Sequence, residues 1–246
     1  MILNISPVSP NILPSGYIPT WVKNNGNGYI SYNGGIGADS SYLDIFFLVR
    51  SLDTNPTASC MLFSIHGPRL SIQFNSSGNM RVILLDVALT NTTLVDWTST
   101  ASLKNAGEWL FHVTANLTEG SPTFVVSRAA RIAGIMQPWE LITGSFSSGP
   151  TAGIIDNSRS FAGEDFSMFG SLAGANIFNA EFSFFWWSQG IPITDNAMAI
   201  GGILKNPLFV GSPVILIRGP VSNLSNDEGS ANKTLTVHGS WENIGD

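Results

Sequence analysis

Apolar and polar residues alternate with a period of two along much of this chain. Leu70-Ser71-Ile72-Gln73-Phe74-Asn75 puts Leu70, Ile72 and Phe74 on one face of a strand. The turn cluster Ser76-Ser77-Gly78-Asn79 follows, and then the apolar run Met80 to Leu85, which together predict a β-hairpin. Further on, Trp109, Phe111 and Val113 share one face, with His112 and Thr114 opposite. From residue 28 onward such short runs recur between turn clusters, the pattern of a sandwich or barrel, with no internal repeat.

Three runs break the alternation by being apolar on both faces. They are Ile45 to Val49, Phe182 to Trp187, and Val214 to Ile217. Strands of this kind belong in the middle of a sheet, covered on both sides by a second sheet, loops or another chain. Their surplus of aromatic residues points to packing between subunits. The best helix signal runs from Asp195, as a cap, to Leu204, weakened by Gly201 and Gly202.

The two ends read differently. Pro7, Pro10, Pro14 and Pro19 fix φ and remove hydrogen-bond donors, so residues 1–27 read as an extended arm lying on the sandwich or docking on a neighbouring subunit. Residues 28–218 form the expected sandwich. Residues 219–246 turn polar and rich in Gly, Ser and Asn, with one short strand at Thr234 to His238.

Composition narrows the function. Only 11% of the residues are charged, against roughly 25% in typical globular chains, so Ser, Thr, Asn and Gly must cover much of the surface. That suits extracellular β proteins and virion proteins packed among neighbours. The formal charge is −6, and no two of the 11 basic residues are adjacent, which leaves no footprint for nucleic acid or an anionic membrane. No apolar run approaches the roughly 20 residues of a membrane helix. Met1 to Pro7 carries no basic n-region or long apolar stretch, so no signal peptide is expected. Cys60 is the single cysteine, read as a buried small hydrophobe, which excludes an intrachain disulfide and a cysteine zinc site.

The order of segments resembles the laminin G-like and concanavalin A-like jelly-roll superfamily over roughly residues 28–200. The resemblance rests on the aromatic strand Tyr42 to Arg50, the hairpin Cys60 to Asp86, and the Gly-x-Trp strand opening Gly107-Glu108-Trp109. Pro122 to Arg128, Met168-Phe169-Gly170, Phe178 and Glu181 to Trp187 continue the pattern. The family's Asp-Gly turn after Pro122 to Arg128 is missing, with Ala129-Ala130-Arg131 in its place. The stretch from Phe209 through Gly239 resembles the tail such domains carry in tailed-bacteriophage structural proteins. The implied fold is an all-β, two-sheet antiparallel jelly-roll sandwich with little helix.

Beta-glucanases share that fold, and retaining hydrolysis needs two carboxyls about 5–5.5 Å apart. No strand here offers acidic residues at i and i+2 or i+4; the aromatic strand holds only Glu181, and Glu164-Asp165 are adjacent. His66, His112 and His238 lack ligand spacing, and His112 reads as a strand residue. No catalytic residues and no cofactor are therefore expected. Lectin-like relatives take calcium through loop oxygens, for which Asp53, Asp156 and Asp227 are the candidates, each also an ordinary turn residue. Trp97, Trp139 and Trp241 lie in loop-like sequence and are the candidates for stacking on a sugar.

The expectation is a non-enzymatic bacteriophage structural protein, a capsid decoration or a tail or fibre component located in the virion. It would pack against other virion proteins and copies of itself. The alternatives are a carbohydrate-binding module that attaches to a host-surface glycan and, further off, a glucanase-like hydrolase.

Overall fold

A computed structural model of the 246-residue chain describes residues 16–34, 37–50, 60–65, 70–87, 92–104, 107–156, 166–170, 181–190 and 192–245. In chain order the strands are β1 (Trp21–Asn24), β2 (Tyr29–Tyr32), β3 (Tyr42–Arg50), β4 (Cys60–Ile65), β5 (Leu70–Phe74), β6 (Met80–Leu85) and β7 (Thr93–Ser99). There follow β8 (Glu108–Asn116), β9 (Thr123–Ile132), β10 (Ile135–Met136), β11 (Glu140–Leu141), β12 (Gly144–Ser148), β13 (Phe166–Met168) and β14 (Glu181–Ser188). After the helix α1 (Asp195–Met198) come β15 (Ala199–Ile200), β16 (Ile203–Leu204), β17 (Ile215–Arg218), β18 (Thr236–His238) and β19 (Trp241–Ile244).

The fold is an all-β sandwich of two antiparallel sheets. The first runs β10-β9-β8-β3-β14-β1-β19, with β11 added on β9 and β17 on β14. The second runs β12-β7-β6-β5-β4-β13-β2-β18. The alternating segment 70–85 forms the expected hairpin. Its turn is built by Asn75, whose Oδ1 accepts from the N–H groups of Ser77 (2.9 Å) and Asn79 (3.0 Å). Gly78 takes φ +81°, a conformation glycine adopts without a Cβ clash.

Between the sheets lies the main core. Strand β3 sends Leu43, Ile45, Phe47 and Val49 into it, β8 sends Phe111 and Val113, and β14 sends Phe182, Phe185 and Trp187. They meet Phe63, Ile72, Val82 and Phe166 of the second sheet. A bulge between Phe182 and Phe184 keeps Phe182 and Phe185 on the same side although three positions separate them.

The opposite faces of these strands build a second core. Phe46, Leu48, Leu110, Phe184, Trp186 and Leu216 are all buried there, although they project away from the second sheet. Residues 192–210 cover them, contributing Met198, Ala199, Leu204 and Val210. Strands β3 and β14 are thus central, as expected, whereas β17 pairs with β14 alone among the described strands. Their second face, however, is covered by the chain's own segment. The aromatic surplus therefore needs no neighbouring subunit to bury it.

Several expectations change in the structure. Residues 21–24, assigned to the arm, form β1 between β14 and β19, and the expected extension supplies both β18 and β19. Neither end of the described chain is separate from the sandwich. The helix spans only Asp195–Met198, because Gly201 (φ +59°) and Gly202 (φ +81°) turn the next residues into the β15–β16 hairpin. Strand β9 runs straight through Ala129-Ala130-Arg131 and turns at Ala133-Gly134, both at positive φ, as a tight hairpin requires. No helix among the described residues is long and apolar enough to cross a membrane.

Candidate functional site

The outer face of the first sheet holds the densest polar chemistry among the described residues. Asp44 and His112 stand on β3 and β8 where neighbouring positions are apolar, and both are buried. A buried ionisable group must be paired, and here β3, β8, β9 and the segment that opens α1 converge to do it. His112 Nε2 lies 3.0 Å from Asp44 Oδ1, and Nδ1 lies 2.6 Å from Asp195 Oδ1. Ser127 of β9 donates to the same Asp195 oxygen at 2.7 Å, and the Ile193 N–H donates to Asp44 Oδ2 at 3.1 Å.

An ionised carboxylate only accepts, so both ring nitrogens carry hydrogen when both bonds are made, and His112 is an imidazolium. Burial works against that charge, but the hydrogen bonds to Asp195 and Asp44 outweigh it and hold the ring above its ordinary value. Burial likewise pushes the Asp195 carboxyl up. Its bonds with His112 and Ser127 win, and it sits below the usual carboxylate range. Phe46 stacks on the imidazole at 3.9 Å with an interplanar angle of 10°.

This cluster clamps the cover to the sheet. The ring is 2% exposed and neither nitrogen is open, so it has no position from which to take a proton from a nucleophile. Ser127 donates to a carboxylate instead of facing the imidazole, so the three residue types do not form a Ser-His-Asp relay. Asp195, expected as a helix cap, makes no capping bond and serves the clamp.

At the other end of the same face, Glu181, Arg50, Glu108 and Arg131 stand in register across four strands. Arg50 Nε is 2.6 Å from Glu181, and Arg131 is 2.5 Å from Glu108. Arg50 also lies over the Trp21 ring at 4.6 Å. Both carboxylates are thus engaged by arginines.

The three candidate tryptophans separate. Trp97 is a correction: it lies on β7, 3% exposed, against Phe124, and its ring closes over Gly144. It belongs to the main core and offers no platform. Trp241 stands on β19, edge-on to Phe169 and Phe182, with Nε1 donating to the His238 carbonyl at 2.9 Å. Trp139 borders a cavity. This opening of about 370 Å³ is lined by Gln137, Pro138, Trp139, Asn196 and the Gly201-Gly202 turn. Trp139 is half-buried, with its edge toward Phe46 and His112, so the clamp lies directly behind the cavity wall.

Of the calcium candidates, Asp53 lies outside the described residues, as do His66, Glu164 and Asp165. Asp156 is buried beside the end of β6, where its N–H donates to the Leu85 carbonyl. Asp227 accepts from the N–H groups of Leu216 (2.9 Å), Gly229 (2.8 Å) and Lys233 (3.2 Å). Its oxygens are occupied in tying the loop to β17. No group of three acidic, His or Cys side chains suited to a metal occurs among the described residues. Cys60 opens β4, but its side chain is not among those described.

A second groove, of about 710 Å³, lies on the outer side of the cover. Tyr17, Ile18, Ile200, Ile203, Leu204 and Phe209 line it. Phe209 is 83% exposed, Ile18 69% and Ile200 51%. No residue reading anticipated this surface. Its signal was Leu208-Phe209 beside Pro207, apolar residues in a segment too short and irregular to form a strand. Compared with protein-family models and with curated proteins, the sequence finds no match in either.

Proposed function

We propose that this chain is a non-enzymatic structural protein that acts by packing against other protein chains, as a component of a bacteriophage virion with a jelly-roll sandwich. The observation that carries the packing reading is the exposed apolar surface on the cover. Large side chains left uncovered together are the ordinary mark of a protein contact site. Phe209 lies on a rigid mount, because Val210 beside it accepts from the buried Trp186 Nε1 at 3.0 Å. The virion setting rests on the low charge and on the resemblance of segment order.

The test is the copy number of the chain in purified virions relative to the major capsid protein. A simple ratio supports a built-in component, hundreds of copies placing it on the capsid and a few dozen in the tail. Absence from washed particles overturns the proposal.

A second reading is favoured by the Trp139 cavity. An indole face with the amides of Gln137 and Asn196 at one rim is the chemistry that holds a pyranose ring, by stacking below and hydrogen bonds around its edge. Saturable glycan binding that disappears in Trp139→Ala and survives in Trp241→Ala supports host attachment at this site. Equal binding by both variants counts against it.

A further inference from the structure

We infer that the groove on the cover is the contact between two copies of this chain, related by a two-fold axis, with Phe209 of each copy seated in the groove of the other. This rests on the packing reading above and names the partner. Three observations carry it: the knob and the hole occur together, the surface lacks carboxylates, and its extent suits a dimer.

A two-fold contact requires self-complementarity, because residue i meets residue j and residue j meets residue i. Phe209 projects at the rim of the groove walled by Ile18, Ile200 and Ile203, so one patch carries both halves of such a contact. A partner with a different surface would need only one of them.

Charge permits the same pairing. The chain carries −6 overall, so two copies repel each other over most of their surface. Among the residues lining the groove, Lys205 alone is charged, and none is acidic. This is a place where copies meet without burying like carboxylates.

The patch also reaches past the groove. The Gly202 backbone abuts Ile135, which pairs with Ile132 across the β9–β10 hairpin, and both isoleucines are exposed. With Ile18, Ile200, Leu208 and Phe209 they offer on the order of 600 Å² of apolar surface, at the upper end for a monomer. It is most of the about 800 Å² per partner in a standard interface.

The experiment is sedimentation equilibrium on the full chain and on two charge variants, Phe209→Lys and Ile200→Glu. Both positions are exposed, and unchanged circular dichroism, with a melting temperature equal to the wild type's at a dilution where both are monomeric, verifies the fold of each variant. The wild type is expected to be dimeric at about 100 µM, and each variant alone should dissociate about 100-fold more readily, near 3 kcal/mol.

An equimolar mixture of the two variants should dimerise again. The ammonium group introduced at position 209 of one copy then meets the carboxylate introduced at position 200 of the other, while the second contact keeps Phe209 against Ile200. A monomeric wild type at that concentration, or variants as dimeric as the wild type, overturns the inference. So does a monomer that dimerises only after residues 1–15 are removed, which would assign the groove to the chain's own N-terminal segment. If the wild type is monomeric but present in virions at a fixed ratio, this inference falls while the packing reading stands.

Discussion

The two faces of β3 meet two different cores. Leu43, Ile45, Phe47 and Val49 enter a core closed by another sheet, where rings stack, as Phe47 does on Phe111 (4.9 Å). Asp44, Phe46 and Leu48 enter a core closed by an irregular cover of about twenty residues, held by a buried ion cluster and a few backbone bonds. A sheet brings its own hydrogen-bond ladder and needs no clamp. A short segment containing one four-residue helix has few internal bonds, and the charges of Asp44, His112 and Asp195 fix its position. The inner core carries stability, and the outer one carries the surface that we propose as the contact with other molecules.

The largest effect is expected in the inner core. Phe47→Ala should cost about 3–5 kcal/mol, because a fully buried ring leaves a cavity between two rigid sheets. Denaturant unfolding measures it, and a loss under about 1 kcal/mol would erase the distinction between the cores.

Next comes the clamp. His112→Ala strands Asp44 as a buried carboxylate and should cost about 2–3 kcal/mol, below the usual figure for a buried pair because the Asp195 side chain is 36% exposed. Amide exchange should show the loss concentrated at residues 193–210, with the β5–β6 hairpin unchanged. A uniform loss would mean that the cover has no separate stability.

The pH dependence sharpens this. His112 is held above its ordinary value of 6.5, so its contribution is complete below that value and is lost as pH rises through the folded-state value. Asp195 is held below its ordinary value of 3.8, so its contribution is complete above that value and is lost as pH falls through the folded-state value. The cover should be tightest between these limits. Melting temperature against pH should fall on the alkaline side of 6.5, and His112→Gln should flatten that arm. The same alkaline slope in the variant would assign it to other groups.

The smallest stability effect belongs to the surface itself. Phe209→Ser should leave the stability of the monomer, measured at high dilution, within about 0.5 kcal/mol, since the ring of the single chain is already in solvent. Destabilisation by about 2 kcal/mol would mean that Phe209 serves the fold.

Much of this architecture was legible in the sequence, and the exceptions have physical causes. The hairpin 70–85 and the two faces of β8 were visible because five or more residues in succession kept the alternation. The central position of β3 and β14 followed from their double apolarity. β1 was hidden because four residues, Trp21 to Asn24, are too few to show a period and stand just after Pro19. Trp97 was placed in a loop because Asp96, Thr98 and Ser99 make β7 look polar, whereas Asp96 and Thr98 lie on its half-exposed face and Ser99 is buried on the same face as Trp97. The clamp joins residues 68 and 83 positions apart, a distance no local pattern spans. One signal did exist: Asp44 is a lone carboxylate inside an otherwise apolar strand, and burial there obliges a partner. The cover has no periodicity at all, so its groove could not be anticipated.

The central claim is that the cover, and not the closed sandwich beneath it, meets other molecules. Amide hydrogen exchange of the isolated chain compared with the chain in its assembled state tests this most directly. Protection should rise at Gly16 to Ile18 and Ile200 to Phe209 on assembly, with β5 and β6 unaltered. Unchanged exchange across the cover, with new protection on the outer face of the second sheet, would contradict the account.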